Sequence, residues 1–157
     1  MKNKYINIYN NLMILTRNKK IYLNKLINDN FSDRLIFFLL HFAIFLRIYK
    51  ENNDKSVLQD IFDFVFKQLE SSFRESGFGD VTINKKMKNH INLFYDILNE
   101  IDLWVKSSKI KKNDILRKYI NNNNNIDKLI EYFDSYFLYL SNKPLNFFVK
   151  SVNKHKF

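Results

Sequence analysis

The side chains that could do chemistry are few and scattered. The imidazoles are His41, His90 and His155, far apart in the chain and without carboxylates at metal-ligand spacing. There is no cysteine, hence no thiolate metal site, no disulfide framework and no cysteine nucleophile. Neither a His-Glu-x-x-His helix, nor a paired-carboxylate helix, nor a Gly-rich phosphate loop occurs. No catalytic, cofactor or metal role is therefore expected, and no small-molecule substrate. His41 sits inside an otherwise apolar run and reads as a hydrogen-bonded core side chain.

The most informative cluster is Arg74-Glu75-Ser76-Gly77-Phe78-Gly79-Asp80. Both glycines of the chain lie in it, two residues apart, in a composition that otherwise suppresses glycine. Gly77 is expected to cap a helix in the left-handed conformation, Gly79 to support a positive φ, and Asp80 or Thr82 to cap the next helix. A Gly-x-Gly pair alone does not indicate a nucleotide. Directly after it come Lys85, Lys86 and Lys88, with no acid between residues 81 and 95. With Ile83, Met87 and Ile91 inward, those lysines spread over the outer arc of a helix. They are either a solvated face or a cationic docking face.

Helices must position these residues. With Gly 2 and Pro 1, the tight turns of a sandwich or barrel are out of reach. Leu35 to Leu46 is twelve residues with His41 the one polar position. As a helix that run is about 18 Å long, against a bilayer core of about 30 Å. It reads as a buried central helix over about 32–50, capped by Ser32 with Asp33 beside it. Ser56 to Gln59 fits a capping box, opening a helix with Val57, Leu58, Ile61, Phe62, Val65, Leu69 and Phe73 inward. A third helix is expected from Thr82 to Lys106. A short one should open at Asn113 or Asp114, before the Asn121–Asn125 linker. A last one carries Ile126 to Leu140 and ends at Lys143-Pro144. Upstream, Tyr5–Thr16 should be helical with Tyr9, Leu12, Met13 and Thr16 on one side, and Ile21–Ile27 a short helix. The expectation is one all-α domain over 1–157, with six to seven helices around the central apolar one.

Composition and charge narrow the function classes. Heavy use of Asn, Ile, Lys, Phe and Tyr is the mark of AT-rich coding, which inflates lysine. The net charge is still +10, and it is segregated. Residues 1–28 hold six Lys/Arg and no acid, residues 106–118 hold six against Asp114, and residues 143–157 hold four and no acid. Residues 54–80 hold six acids against three cations. Such a field suits an anionic partner: nucleic acid, a ribosome or an acidic lipid surface. Two binding classes compete on this ground. One is an RNA-binding module using residues 82–90 and 106–118. The other is a viral helical decoy of the apoptosis-regulator type, which would need a peptide groove.

A third class comes from resemblance. Phe62-Asp63-Phe64-Val65-Phe66, the Arg74–Asp80 turn, Lys85-Lys86-Met87-Lys88 and Phe94-Tyr95 resemble, in order and spacing, the ubiquinol–cytochrome c chaperone family. Tyr9, Arg17 and Tyr22 resemble its opening, and Arg34 with Leu40-His41 its Arg-Phe and Leu-His pairs, so the likeness covers roughly residues 5–105, and only loosely Leu116–Tyr119 beyond that. The chain departs from the family where Asp96-Ile97 stands for the usual Gly-Arg, and where Leu35 stands for Phe. The resemblance implies a non-catalytic assembly factor for respiratory complex III that holds newly synthesised cytochrome b. The partners it implies are the ribosome, a small partner protein and the anionic inner-membrane surface. It places the protein in the cytoplasm, peripheral at a bacterial inner membrane, or on the matrix side of a mitochondrion. The match begins near Met1, which favours the bacterial setting.

Overall fold

The computed structural model describes residues 4–121 and 125–153. The middle of the Asn121–Asn125 run and His155 lie outside the described residues. The chain order is α1 Ile6–Thr16, α2 Lys19–Leu23, α3 Phe31–Tyr49, α4 Lys55–Glu75, α5 Asp80–Ile101, a 3-10 turn Trp104–Lys106, α6 Lys109–Arg117, α7 Ile126–Ser141 and α8 Leu145–Lys150. No strand occurs among the described residues. The all-α architecture is the one expected.

α3 is the axis. Residues 36 to 46 are all buried, so the helix is surrounded, as an unbroken apolar run requires. It packs on α1, α5 and α7, while α4 packs on α5, α6 on α7 and α8 on α1. Its cap is Asn30, not Ser32: the Asn30 side chain accepts from the Asp33 amide at 2.9 Å and donates to the Asp33 carboxylate at 3.1 Å. No helix among the described residues is long and apolar enough to cross a membrane.

Other boundaries moved for local reasons. α4 starts at Lys55 with Asp54 as cap residue, so Ser56 falls inside the first turn and the expected capping box does not form. α2 ends at Leu23 rather than Ile27, because Lys25 takes a left-handed φ of 57° and the Leu26 amide bonds back to the Ile21 carbonyl at 3.0 Å. α5 starts at Asp80, with Gly79 as its cap residue, so neither Asp80 nor Thr82 caps it. It stops at Ile101 rather than Lys106, where the chain turns to send Trp104 into α7. α6 is capped by Ser108, whose hydroxyl accepts from the Lys111 amide, five residues before Asn113.

Pro144 ends α7 as expected and then opens α8, a helix the sequence reading did not contain. α8 seals the bundle against α1. Asn7 donates to the Val149 carbonyl at 2.9 Å and Asn11 to the Ser151 carbonyl at 3.1 Å. The inward face of α1 is accordingly Ile8, Asn11, Leu12 and Thr16, which leaves Tyr9 and Met13 half-buried at its edge.

Candidate functional site

The glycine segment is a clasp between α4 and α5. α4 ends in 3-10-like bonds, Ser76 to Phe73 and Gly77 to Arg74, and Gly77 reverses the chain at φ +90°. Gly79 departs from expectation: at φ −74°, ψ 161° it is an ordinary extended cap residue for α5. Only one of the two glycines thus needs its missing Cβ. Arg74 spans the turn, donating from Nη1 to Asp80 and from Nη2 to Glu70 at 3.1 Å. Those hydrogen bonds, the Asp80 one foremost, raise the Arg74 pKa. Asp80 also opens α5, where a carboxylate favours the helix dipole. Nothing lies within 4 Å of a Cβ built on Gly77, so substitution there meets backbone strain alone. Gly77→Val is expected to cost about 1–2 kcal/mol, because a left-handed residue with a Cβ is strained by that amount. Gly79→Ala should stay within about 0.5 kcal/mol, as surface substitutions do. Paired thermal melts read the difference, and equal melts would refute the assignment.

The lysine stretch follows the clasp. Ile83 and Met87 are buried, Ile91 is half-buried, and Lys85 and Lys88 are exposed, as the helical spacing required. Lys86 leans over the Phe78 ring at 5.1 Å, and Phe78 stands edge-on to Phe73. Phe73 in turn lies 5.4 Å from His90, whose pKa is lowered by burial and then by Lys86.

Phe94 and Tyr95 have separate jobs. Phe94 is wholly buried, stacked on Phe42 at 5.1 Å and edge-on to Phe66 at 5.2 Å. It is core. Tyr95 is half-exposed and lies flat on Phe62 at 5.7 Å. Tyr95 and Phe62 line a groove of about 330 Å³ between α3, α4 and α5, which the Arg47–Asp102 ion pair also lines.

His41 is fully buried, as its surroundings in the sequence required. Its Nδ1 lies 2.7 Å from the Phe37 carbonyl, which can only accept, so Nδ1 carries the proton. Nε2 then accepts from the Tyr132 hydroxyl at 2.6 Å. Burial pushes the imidazole pKa down to about 4. His41 fastens α3 to α7 from a fully buried position.

Arg34 belongs elsewhere. With Arg17 it rims a groove of about 180 Å³ between α1, α3 and α4, floored by Met13, Phe38, Leu69 and Phe73. Phe31 stands at its edge, 53% exposed and edge-on to Phe73. Tyr9 lines the same groove, its hydroxyl pKa raised by burial against the lowering pull of Arg17. The structure therefore joins Tyr9, Arg17 and Arg34 with the end of α4. It keeps Arg74, Gly77, Gly79, Asp80 and Lys86 together in the clasp, and sets Phe94 and His41 in the core. The sequence showed the members of the groove singly. Their meeting depends on three helices crossing, which no local spacing encodes.

Among the described residues no group of three His, Asp or Glu side chains could hold a metal ion. The crystal structure of the Cbp3 homologue from Brucella abortus is similar over 97% of this chain and 88% of that one, with a TM-score of 0.79 at 20% identity, a likeness of fold. No curated protein matches. A family model described as ubiquinol-cytochrome C chaperone matches residues 26–151. That span leaves out Tyr9, Arg17 and Tyr22, and it takes in α6 to α8, where the motif resemblance reached only loosely, at Leu116–Tyr119. A match over most of the chain settles the matter: this protein belongs to the ubiquinol–cytochrome c chaperone family.

Proposed function

We propose that the protein is an assembly chaperone for the cytochrome b subunit of ubiquinol–cytochrome c reductase. It would hold the newly made apolar subunit beside the ribosome and the inner membrane, with no chemistry of its own. Family membership supports the reading, and the observation that carries it to a place on the molecule is the groove rimmed by Arg17 and Arg34. Its floor is aromatic and aliphatic, and its edge keeps a large ring, Phe31, in solvent. Exposed apolar surface of that kind marks an interaction site, and a groove between helices takes the apolar face of another helix. The rim arginines add donors for carbonyls or carboxylates at the end of a client segment. On this reading the protein works at the cytoplasmic face of a bacterial inner membrane, or on the matrix side in a mitochondrion. Lys85 and Lys88 are available for the ribosome, and a small partner protein is accommodated without a role being assigned to it.

Deleting the gene in its host should lower the haem b absorption of the membranes, and reintroducing the wild-type chain should restore it. Phe31→Asp combined with Arg17→Glu changes two exposed positions, so the chain should fold and accumulate but fail to restore haem b. Unchanged haem b in the deletion strain would overturn the function. Full rescue by the double variant would remove the groove from it.

A further inference from the structure

We infer that the segment from Leu103 to Lys111 is an interfacial membrane-docking edge for an anionic lipid bilayer. Three large aliphatic side chains lie in solvent within eight residues: Leu103 at 56%, Val105 at 64% and Ile110 at 77% exposure. Their exposure has a structural cause. Trp104, between the first two, is turned wholly inward: it stacks on Phe137, stands edge-on to Phe133, and donates from Nε1 to Asp134 at 2.8 Å. The side chains on either side of a residue so anchored must point away from the core. In α6 the packing residues are Ile115 and Leu116, which leaves Ile110 on the outer side of the first turn.

Cations are interleaved with these aliphatics. Lys106, Lys109 and Lys111 are exposed, and no acid occurs from Leu103 to Asn113. Lys109 shares its charge with Asp127 at 3.4 Å and Lys112 with Asp134 at 3.0 Å, while Lys106 and Lys111 have no acid within ion-pair distance among the described residues. The acid just before the segment, Asp102, is engaged by Arg47.

This combination selects the partner. RNA would reward aromatic rings for stacking, and the exposed side chains here are aliphatic. A protein partner would favour aromatic or arginine anchors in pockets and a core depleted of lysine. This edge has lysines without an ion-pair partner among the described residues, and of its three aliphatics Val105 borders an open groove that is lined in good part by polar side chains, Arg47, Glu51, Asn52 and Lys143 among them, rather than an apolar anchor pocket. A headgroup layer takes both parts at once. Aliphatics enter the acyl boundary, and lysine ammonium groups meet lipid phosphates.

The test is flotation of the full chain with phosphatidylcholine vesicles, with and without phosphatidylglycerol, at low and high salt. Wild type should float with the anionic vesicles and much less with the neutral ones. Each free lysine is worth about fivefold near an anionic surface, so K106Q/K111Q should weaken partitioning about 25-fold at low salt, and by less as salt rises. V105S/I110S should weaken it about tenfold or more at either salt, because acyl insertion is not screened. All four positions are exposed, so melts of both variants should match wild type. K85Q/K86Q/K88Q serves as the control for the other lysine face. Four results would overturn the proposal: no flotation of wild type, loss by the control variant alone, loss of ribosome or RNA co-sedimentation with flotation intact, or a V105S/I110S-sensitive dimer that floats normally. The proposal rests on the chaperone reading only in expecting a membrane nearby. If flotation fails while deletion still lowers haem b, the docking edge falls and that reading stands.

Discussion

Replacing Trp104 by alanine is expected to destabilise the protein by about 3–5 kcal/mol, the usual range for deleting a buried tryptophan. The ring is 1% exposed, with Phe137 stacked at 6.3 Å and 9°, Phe133 edge-on, and the Lys112 ammonium 5.4 Å from the ring centre. Its loss leaves a cavity where the segment after α5 meets α7, and it takes away a partner of the half-exposed Asp134. For a chain of this length such a cost lowers the melting midpoint by roughly 10 °C. Trp104→Phe keeps a ring against Phe137 and loses the Nε1–H bond, so its cost should be nearer 1 kcal/mol, the net worth of one hydrogen bond. Thermal unfolding of the two variants, followed by helical circular dichroism, checks both the size and the order of the effects. A Trp104→Ala midpoint within a degree or two of wild type would show that the ring does not anchor this turn. The same pair bears on the docking edge, because Leu103 and Val105 face outward only while Trp104 faces in.

The elements most legible in the sequence were those in which one strong periodic or compositional signal acts alone. α3 was plain because an apolar run of its length has no polar face to turn to water, and the structure buries residues 36 to 46 without a break. α4 and α7 showed amphipathic stripes, and most of the residues these named are buried: Ile61, Val65, Leu69 and Phe73 in one, and Ile126, Leu129, Ile130, Phe133, Tyr136, Phe137 and Leu140 in the other, while Val57, Leu58 and Phe62 are only half-buried and the buried Phe66 and Tyr132 were missed. Gly77 was legible because suppression of glycine elsewhere made its retention informative. Gly79 was misjudged for a related reason: two glycines in one turn look alike in sequence, yet only one sits at positive φ.

What was not legible depends on contacts between distant segments. α8 has six residues, too few for a period to show, and it holds its place through Asn7 and Asn11, more than a hundred residues upstream. α5 was read through Trp104 because that residue fits a helical stripe as well as it fits the 3-10 turn, and only the position of α7 decides. Ser108 was passed over as a cap because Asn113 and Asp114 offered equally good caps five and six residues later. The groove rim joins Arg17 of the α1–α2 turn to Arg34 of α3, and the two arginines carry no common signal in the chain.

His41 should make the protein acid-labile in a defined window. Its folded pKa is lowered to about 4 from the ordinary 6.5, burial being the leading cause. A base whose folded pKa is depressed binds its proton more readily when unfolded. The site's contribution is therefore fully present above pH 6.5, is lost progressively as pH falls, and is gone once pH passes below about 4. The slope within the window approaches 1.4 kcal/mol per pH unit, so the loss from this residue is about 3 kcal/mol. The groups facing the imidazole from α3 and α7 are Phe37, Tyr132, Phe133 and Tyr136. Neither tyrosine hydroxyl titrates in this window, because burial raises both pKa values further. His90 is shifted in the same direction and adds to the slope, so the wild-type curve alone does not isolate His41. His41→Leu does. It removes the bonds to Phe37 and Tyr132 and should lower stability at pH 7.5 by about 1–3 kcal/mol, the cost of disturbing buried hydrogen bonds. From that lower start its stability should decline less steeply between pH 6.5 and 4 than that of wild type, so the two curves converge in acid. Urea unfolding midpoints across that range provide the measurement. Parallel curves for wild type and His41→Leu would mean that protonation of this imidazole does not oppose the fold, and the buried, Nδ1-protonated histidine between α3 and α7 would have to be given up.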